Sequence, residues 1–340
     1  MNNLGTLTLL GIMLASFAVA WLCVAALRRW AAQRLLDLPN ARSSHTRPTP
    51  RGGGLVIVLV ILGGLLGAYF VAGMGDGRVL VCYGTGALVI AAISWLDDLR
   101  GVANRLRFAV HFVGAALLVA GGWWATGVTL PGGVVLPFGL LGIPLTLFWV
   151  VGLTNAYNFM DGIDGLAGGQ AAIAGGAWAV WGMLTNDPWS LLLGTLLAGS
   201  SLGFLAHNWP PARIFMGDVG SAFLGYTVAA LPLVAARRTP TALLAGVLIV
   251  WPFLWDAGFT FLRRWRRGEN VWAAHRSHLY QRLVIAGWSH RRSTLLYLGL
   301  ALTGAAAALL LRGPAVWAWL GMAVIAVAAL GLLRLVWAVE

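Results

Sequence analysis

The sequence predicts an all-α polytopic integral membrane protein, a single unit over residues 1–340 that crosses a bilayer about eleven times. Three observations predict it. Apolar runs long enough to cross a ~30 Å hydrocarbon core recur along the whole chain. The composition is 59% hydrophobic and 10% charged, against ~25% charged in a soluble domain. All 23 basic residues are arginines, and they sort by loop. The runs lie at roughly 5–27, 54–74, 79–96, 108–126, 136–154, 166–184, 189–207, 219–236, 241–262, 293–311 and 315–337.

The first run is preceded by no Lys or Arg and followed by Arg28 and Arg29. That polarity fits an uncleaved anchor with its N-terminus on the periplasmic side, not a signal peptide. The loops after runs 1, 3, 7 and 9 hold 18 of the 23 arginines, which assigns that side to the cytoplasm. The net charge of +12 therefore sets topology and meets anionic groups at the membrane surface, with no basic soluble face for nucleic acid. Cys23 and Cys82 lie inside apolar runs, where a thiol acts as a small hydrophobe; neither a disulfide framework nor a thiolate metal site follows.

The first basic loop, within 28–54, carries three prolines and a triple glycine with His45, Arg42, Arg47 and Arg51. It reads as an anion-binding loop in which Gly52, Gly53 and Gly54 offer backbone N–H groups, or else as a solvated topogenic loop. Run 3 ends on Asp97 and Asp98. Adjacent helical residues point about 100° apart, so the two acids face one site only if the helix frays or they divide their roles. Acids at a helix C-terminus oppose the dipole, which argues for function.

The stretch 155–169, N-A-Y-N-F-M-D-G-I-D-G-L-A-G-G, sets Asn155, Asn158, Asp161 and Asp164 within ten residues, with no Lys or Arg among them. Two carboxylates so placed repel unless a cation lies between them; a turn that caps the next helix is the other reading. Asp218 opens run 8 behind Gly217. A helix N-terminus keeps such a carboxylate ionised and fit for Mg2+, although capping accounts for its position too. Asp256 lies inside run 9, either a functional group or the partner of an arginine from another helix. In A-H-R-S-H-L-Y-Q-R-L, 274–283, His275 and His278 can share one side of a helical turn and, with Arg276 and Arg282, grip phosphate; two histidines alone make a poor zinc site. Eight of the eleven acids fall on the arginine-rich side, an enrichment that topology does not require and a shared Mg2+ site does.

Four blocks now carry a resemblance: L-D-D-L-R at 96–100, N-F-M-D-G-I-D-G-L-A at 158–167, P-A-R-I-F-M-G-D-V-G-S at 211–221, and 274–283. Together they resemble the polyprenyl-phosphate N-acetylhexosamine-1-phosphate transferases, which include the phospho-MurNAc-pentapeptide translocase. The H-R-S-H at 275–278 and the following L-Y-Q-R-L look like the branch that begins O-antigen or related polysaccharides, where the translocase branch has three consecutive histidines. The resemblance implies transfer of a HexNAc-1-phosphate from a UDP-N-acetylhexosamine to undecaprenyl phosphate on the cytoplasmic face, with release of UMP. It implies Mg2+, with Mn2+ as the alternative, on Asp218 and Asn158. Asp164 would contact the uracil, Arg107 the diphosphate, and His275, Arg276 and His278 the sugar phosphates. Asp97 and Asp98 would serve the lipid phosphate, and Asp161 joins them as a candidate catalytic acid. Asn155, His45, Arg51 and Arg213 complete the expected substrate-binding set. The lipid bilayer is the setting, and a homodimer is compatible with the resemblance. The alternative class is a multi-span transporter of an anionic solute, but such sites lie at the bilayer midplane between repeats, and here the polar residues gather at one face with no internal repeat.

Overall fold

The computed structural model describes residues 3–39, 47–71, 73, 76–271, 273 and 275–340. His45, one of the expected substrate-binding residues, lies outside them. Helices α1 (Asn3–Arg34), α2 (Gly54–Phe70), α3 (Gly77–Arg100) and α4 (Asn104–Ala120) carry the first four apolar runs. Helices α5 (Gly142–Phe159), α6 (Leu166–Thr185), α7 (Pro188–Asn208) and α8 (Asp218–Ala235) carry the next four. The ninth run is divided between α9 (Ala242–Ile249) and α10 (Trp251–Arg266), and the last two are α12 (His290–Leu310) and α13 (Ala315–Val339). A short helix, α11 (Leu279–Ile285), lies in the loop between. Two antiparallel two-stranded ribbons interrupt the all-α order: β1 (Leu36–Asp37) with β2 (Thr49–Pro50), and β3 (Gly127–Thr129) with β4 (Val135–Pro137). The second ribbon is why run 4 ends early and run 5 begins late.

Every predicted run thus falls on a helix or on the bent pair. By length and apolarity seven described helices can cross a bilayer, or eight if α9 and α10 form one span. Outside that count are α2 and α4, with 17 residues each, and α6. Helix α6 is rich in glycine and alanine because much of its surface meets protein instead of lipid, with Trp178 and Trp181 fully buried.

Helix α8 is the axis of the molecule. Of its 18 residues 89% are buried, against 17% and 22% of the most apolar 18-residue stretches of α1 and α13, and it packs against α2, α3, α5 and α9. Lipid tails are as apolar as leucine, so helices in a bilayer associate through close packing and interhelical hydrogen bonds rather than through the hydrophobic effect. Both are visible along α8. Tyr83 on α3 bonds Thr227 at 2.9 Å and stacks on Tyr226 with ring centroids 5.6 Å apart, and the Trp149 indole donates to the Ala229 carbonyl at 3.0 Å.

The α9–α10 pair turns by 70° at Val250. Pro252 in the first turn of α10 lacks the N–H that would continue the helix. Breaking a helix inside a bilayer frees carbonyls that must be paired. Gln170, buried on α6, donates to the Ile249 carbonyl at 3.0 Å and meets that need. The bend carries the C-terminal part of α10 toward the loop that ends in α11.

The start of α8 is set by backbone contact with α2. A Cβ on Gly220 would lie 2.6 Å from the Gly54 Cα, so no larger residue fits while the helices keep this crossing. Just before it, the N–H groups of Gly53 and Gly54 donate to the carbonyls of Phe215 and Met216, each at 2.9 Å. Gly220→Val must separate the two helices. Its expected cost, about 2 kcal/mol for overpacking, is read as a lowered melting temperature of the detergent-solubilised protein. Gly152→Val on α5, whose Cβ meets nothing within 4 Å, leaves that temperature unchanged.

Candidate active site

Asp97 and Asp98 stand in the last turn of α3 and divide their roles as their angular separation requires. Asp97 turns toward α4: its Oδ1 accepts from the Val102 N–H at 2.6 Å and its Oδ2 from Arg107 at 2.5 Å. Asp98, only 3% exposed, turns toward α8. Its two oxygens accept the N–H groups of Asp218 and Val219, each at 3.0 Å. These are the first residues of α8, whose N–H groups have no partner within the helix, so Asp98 caps α8 from another helix. Asp98 is therefore placed to position α8 rather than to meet a substrate.

The cap sets Asp218 beside Asp97, within hydrogen-bond reach. Arg107 lies between them, 2.9 Å from Asp218 Oδ2, with its second nitrogen 3.5 Å from Asn158 Oδ1. Asn158 in turn donates to Asp218 at 2.9 Å and to the Ser221 hydroxyl at 2.8 Å. The last turn of α5 and the first of α8 are thereby joined around one guanidinium. Ser221 was missed in the sequence, although it lies three residues after Asp218 and so on the same helical face.

Asp161 is the acid without a partner. Among the described residues no side chain or backbone N–H donates to its carboxylate. Burial pushes its carboxyl well above the usual carboxylate range, and the charges of Asp218, Asp98 and Asp164 push it further. Such an environment is relieved by a cation. The donors within it are carboxylate, amide and hydroxyl oxygens, the hard set that Mg2+ prefers. Among the described residues no three His, Cys, Asp or Glu side chains form a closed metal cage. Mg2+ ordinarily takes one or two carboxylates and completes its shell with water and phosphate, so the residues present fit it.

A cavity of about 810 Å³ opens beside this cluster, lined among others by Arg107, Asn155, Asn158, His275, His278 and Gln281. Asn155 is held by the Val151 carbonyl at 2.7 Å and by His111 Nδ1 at 3.2 Å. His275 and His278 have ring centroids 5.0 Å apart. The expected helical turn does not bring them together; His278 instead stands at the N-cap of α11, with His275 in the preceding loop. His275 Nδ1 accepts from the Ser277 hydroxyl at 2.9 Å and the Ser277 N–H at 3.3 Å. Burial, with the nearby His278 and Arg264, pushes its imidazole down to about 4. At neutral pH His275 is uncharged and keeps its proton on Nε2.

Other expected residues are placed elsewhere. Asp164 has both oxygens engaged, by the Ala212 N–H at 3.0 Å and by His290 Nδ1 at 3.3 Å, and it ties the 160–165 turn to α12. Arg51 donates to the Asp98 carbonyl, which makes it a buttress of the α3 end. Arg213 is exposed and lies near His207. Arg276 is half-buried and is not among the residues that line the cavity. Two readings of the loops are corrected. The N–H groups of Gly53 and Gly54 are taken by backbone carbonyls and do not cradle an anion, because the 50–54 segment pairs with 215–216. Arg282 does not join the imidazoles either, because its guanidinium is bidentate on Glu340 at the end of α13.

Three of the four blocks, 96–100, 158–167 and 211–221, lie within a stretch that matches a known family. Residues 80–236 match the family model described as Glycosyl transferase family 4. A Bacillus subtilis (strain 168) protein named probable undecaprenyl-phosphate N-acetylglucosaminyl 1-phosphate transferase is 31% identical over 291 residues, 83% of this chain and 78% of that protein. A Mycolicibacterium smegmatis decaprenyl-phosphate N-acetylglucosaminephosphotransferase is 34% identical over 90% of this chain and 82% of its own. A phospho-N-acetylmuramoyl-pentapeptide-transferase from Synechococcus sp. (strain JA-3-3Ab) is 33% identical over 91% of each chain.

The crowding of Asp161 has a measurable consequence. A carboxyl raised in the fold costs nothing while it is protonated in both states, below its ordinary value of 3.8. Stability is then lost as pH rises through the raised folded value. In EDTA at pH 7.5, Asp161→Asn is expected to melt higher than the unmodified protein, by roughly 2 °C or more. The gap closes only as pH falls below about 3.8, where the carboxyl is protonated in both states. A gap that stays constant over that range assigns the effect to packing instead.

Proposed function

The chain belongs to glycosyl transferase family 4, and we propose that it transfers a HexNAc-1-phosphate from a UDP-N-acetylhexosamine to undecaprenyl phosphate, releasing UMP. Its class is that of a polyprenyl-phosphate sugar-1-phosphate transferase of the membrane. The observation that carries the reading is the joint of Asp97, Arg107, Asn158 and Asp218 at the start of α8, beside a cavity walled by His275 and His278.

The chemistry asks little covalent work of the protein. An oxygen of the lipid phosphate attacks the phosphorus that bears the sugar, the bond from that phosphorus to the bridging oxygen breaks, and UMP leaves with that oxygen. Such a displacement needs alignment of two anions and neutralisation of their charge. Arg107 offers a guanidinium at the cavity wall, and His275 offers an Nε2–H donor. Asp97 holds Arg107 in place, and Asp98 holds the N-terminus of α8 and so Asp218. Asp218, Asn158 and the unpartnered Asp161 are the residues that would hold Mg2+, or Mn2+ in its place, and that ion would neutralise charge on the diphosphate. Direct attack needs only these parts and no covalent intermediate on an aspartate.

The arginine-rich loops favour, by the positive-inside rule, a site that faces the cytoplasm at the inner membrane. A cytoplasmic nucleotide sugar and a lipid acceptor can meet only at that boundary. The relatives with N-acetylglucosamine in their names and the muramoyl-pentapeptide relative match at similar identity, so overall identity does not choose the donor. The H-R-S-H at 275–278 favours a HexNAc donor over the muramoyl pentapeptide, and with it a role in starting O-antigen or another surface polysaccharide.

Membranes containing the protein and undecaprenyl phosphate are expected to release UMP from a UDP-HexNAc only with a divalent cation. Asp218→Asn lowers that rate by about 100-fold or more while the protein remains inserted and folded. A panel of UDP-sugars identifies the donor. Turnover of none of them, with uptake of an anionic solute into vesicles, returns the chain to the transporter class.

A further inference from the structure

Asp256 on α10 is fully buried, and five donors converge on its carboxylate. Oδ1 receives His278 Nδ1 at 3.0 Å, the Leu279 N–H at 2.9 Å and the Thr260 hydroxyl at 3.2 Å. Oδ2 receives the Tyr280 N–H at 3.1 Å and the Tyr297 hydroxyl at 2.5 Å. A carboxylate offers about four lone-pair sites, so this acid is saturated and has none left for a ligand. Of its five partners, only His278 lines the cavity. An imidazole that gives Nδ1–H to a carboxylate has its tautomer and ring orientation set by that bond, and presents Nε2 on the opposite side of the ring. His278 is also confined by Phe159 and His275, with ring centroids 6.1 and 5.0 Å away.

We infer that Asp256 is a positioning residue for the transfer: it takes the Nδ1–H of His278 and so aims Nε2, an N–H donor when the ring carries both protons, at the donor diphosphate in the cavity. The inference rests on the proposed transferase reading. Asp256 touches no substrate and acts through His278 alone. Its bonds to Leu279, Tyr280 and Tyr297 staple α10 to α11 and α12, a separate duty that removal of the imidazole does not cancel. That separation makes the two duties distinguishable.

The test is a double-mutant cycle on the full-length, detergent-solubilised protein. UMP release is followed for the unmodified protein, Asp256→Asn, His278→Ala and the double variant, each with its melting temperature recorded. Asp256→Asn is expected to lower kcat about 30-fold when His278 is present, the range of losses seen when a group that orients an imidazole is removed. In the His278→Ala background the same change costs less than about 3-fold, because residues that act as a unit are not additive. Penalties that multiply overturn the inference and leave Asp256 a staple. Should Asp256→Asn fail to fold, the unmodified protein with 15N-labelled histidine supplies a second readout, the His278 signals being assigned by their loss in His278→Ala. His278 is expected to carry its proton on Nδ1, and UDP to shift its Nε2 signal. The opposite tautomer, or no response to UDP, overturns the inference. An unmodified protein that releases no UMP from any UDP-sugar defeats the proposed function and the inference with it, whereas an active one with multiplying penalties defeats the inference alone.

Discussion

The site depends on one buried contact between helices, the carboxylate of Asp98 on the first two N–H groups of α8. Those N–H groups carry the positive end of the helix dipole and have no partner in their own helix. By accepting both, Asp98 fixes the height and rotation at which α8 begins relative to α3. Asp218 is the first residue of that helix and Asp97 precedes Asp98 in the chain, so one joint sets the spacing of the other two carboxylates. Gly217, with φ of 77°, leaves no room for a side chain here: a Cβ would lie 2.7 Å from Asp98 Oδ2. A left-handed residue and a close approach coincide, which is the condition glycine alone meets at no steric cost.

What this joint assembles is electrostatically unfavourable by itself. Asp97 and Asp218 approach one another with Arg107 as the cation lodged between them, and Asp161, which feels the charges of Asp218, Asp98 and Asp164, has no donor among the described residues. Like charges this close in a partly buried setting weaken the fold. The cost is borne by the packing around α8, whose buried length is held by aromatic stacking and interhelical hydrogen bonds independent of the acids. A structure selected only for stability would place amides here. The mutual repulsion of the carboxylates is relieved wherever a cation lies among them.

Much of this was legible in the sequence because it follows from chain-local physics. The apolar runs mark the helices, Gly217 followed by Asp218 marks a helix start, and the spacing of 155–164 marks a polar turn at a helix end. The division of labour between Asp97 and Asp98 was legible as a requirement, since neighbours on a helix cannot face the same way. Which acid takes which duty was not, because that depends on where α4 and α8 lie against α3. Arg282 shows the same limit from the other side. Its neighbours in sequence are imidazoles, but its partner is Glu340, 58 residues away. The triple glycine at 52–54 also misled for a tertiary reason: the N–H groups of Gly53 and Gly54 are free in the local chain and are claimed only when the 215–216 segment folds alongside.

One device is used twice beside the cavity. On one side a buried aspartate of α3 accepts the first two N–H groups of α8, and on the other a buried aspartate of α10 accepts the first two of α11. In each case the anchored helix starts beside a polar side chain of the site, Asp218 on the first and His278 on the second. A protein that must align two anionic substrates gains little from mobile ligands, because a misplacement of about 1 Å can cost 100-fold in rate. Loops at a membrane boundary are the least rigid part of such a fold. Tying each loop to the interior through a carboxylate that bonds successive backbone groups transfers the rigidity of the helix bundle to the loop. The bend at Val250 serves the same end: it brings α10, and with it Asp256, to the place where α11 starts, while Gln170 pairs the carbonyl that the bend sets free. The Asp218 carboxylate at the start of α8 and the His278 imidazole at the start of α11 are therefore each held by the helix bundle and not by each other.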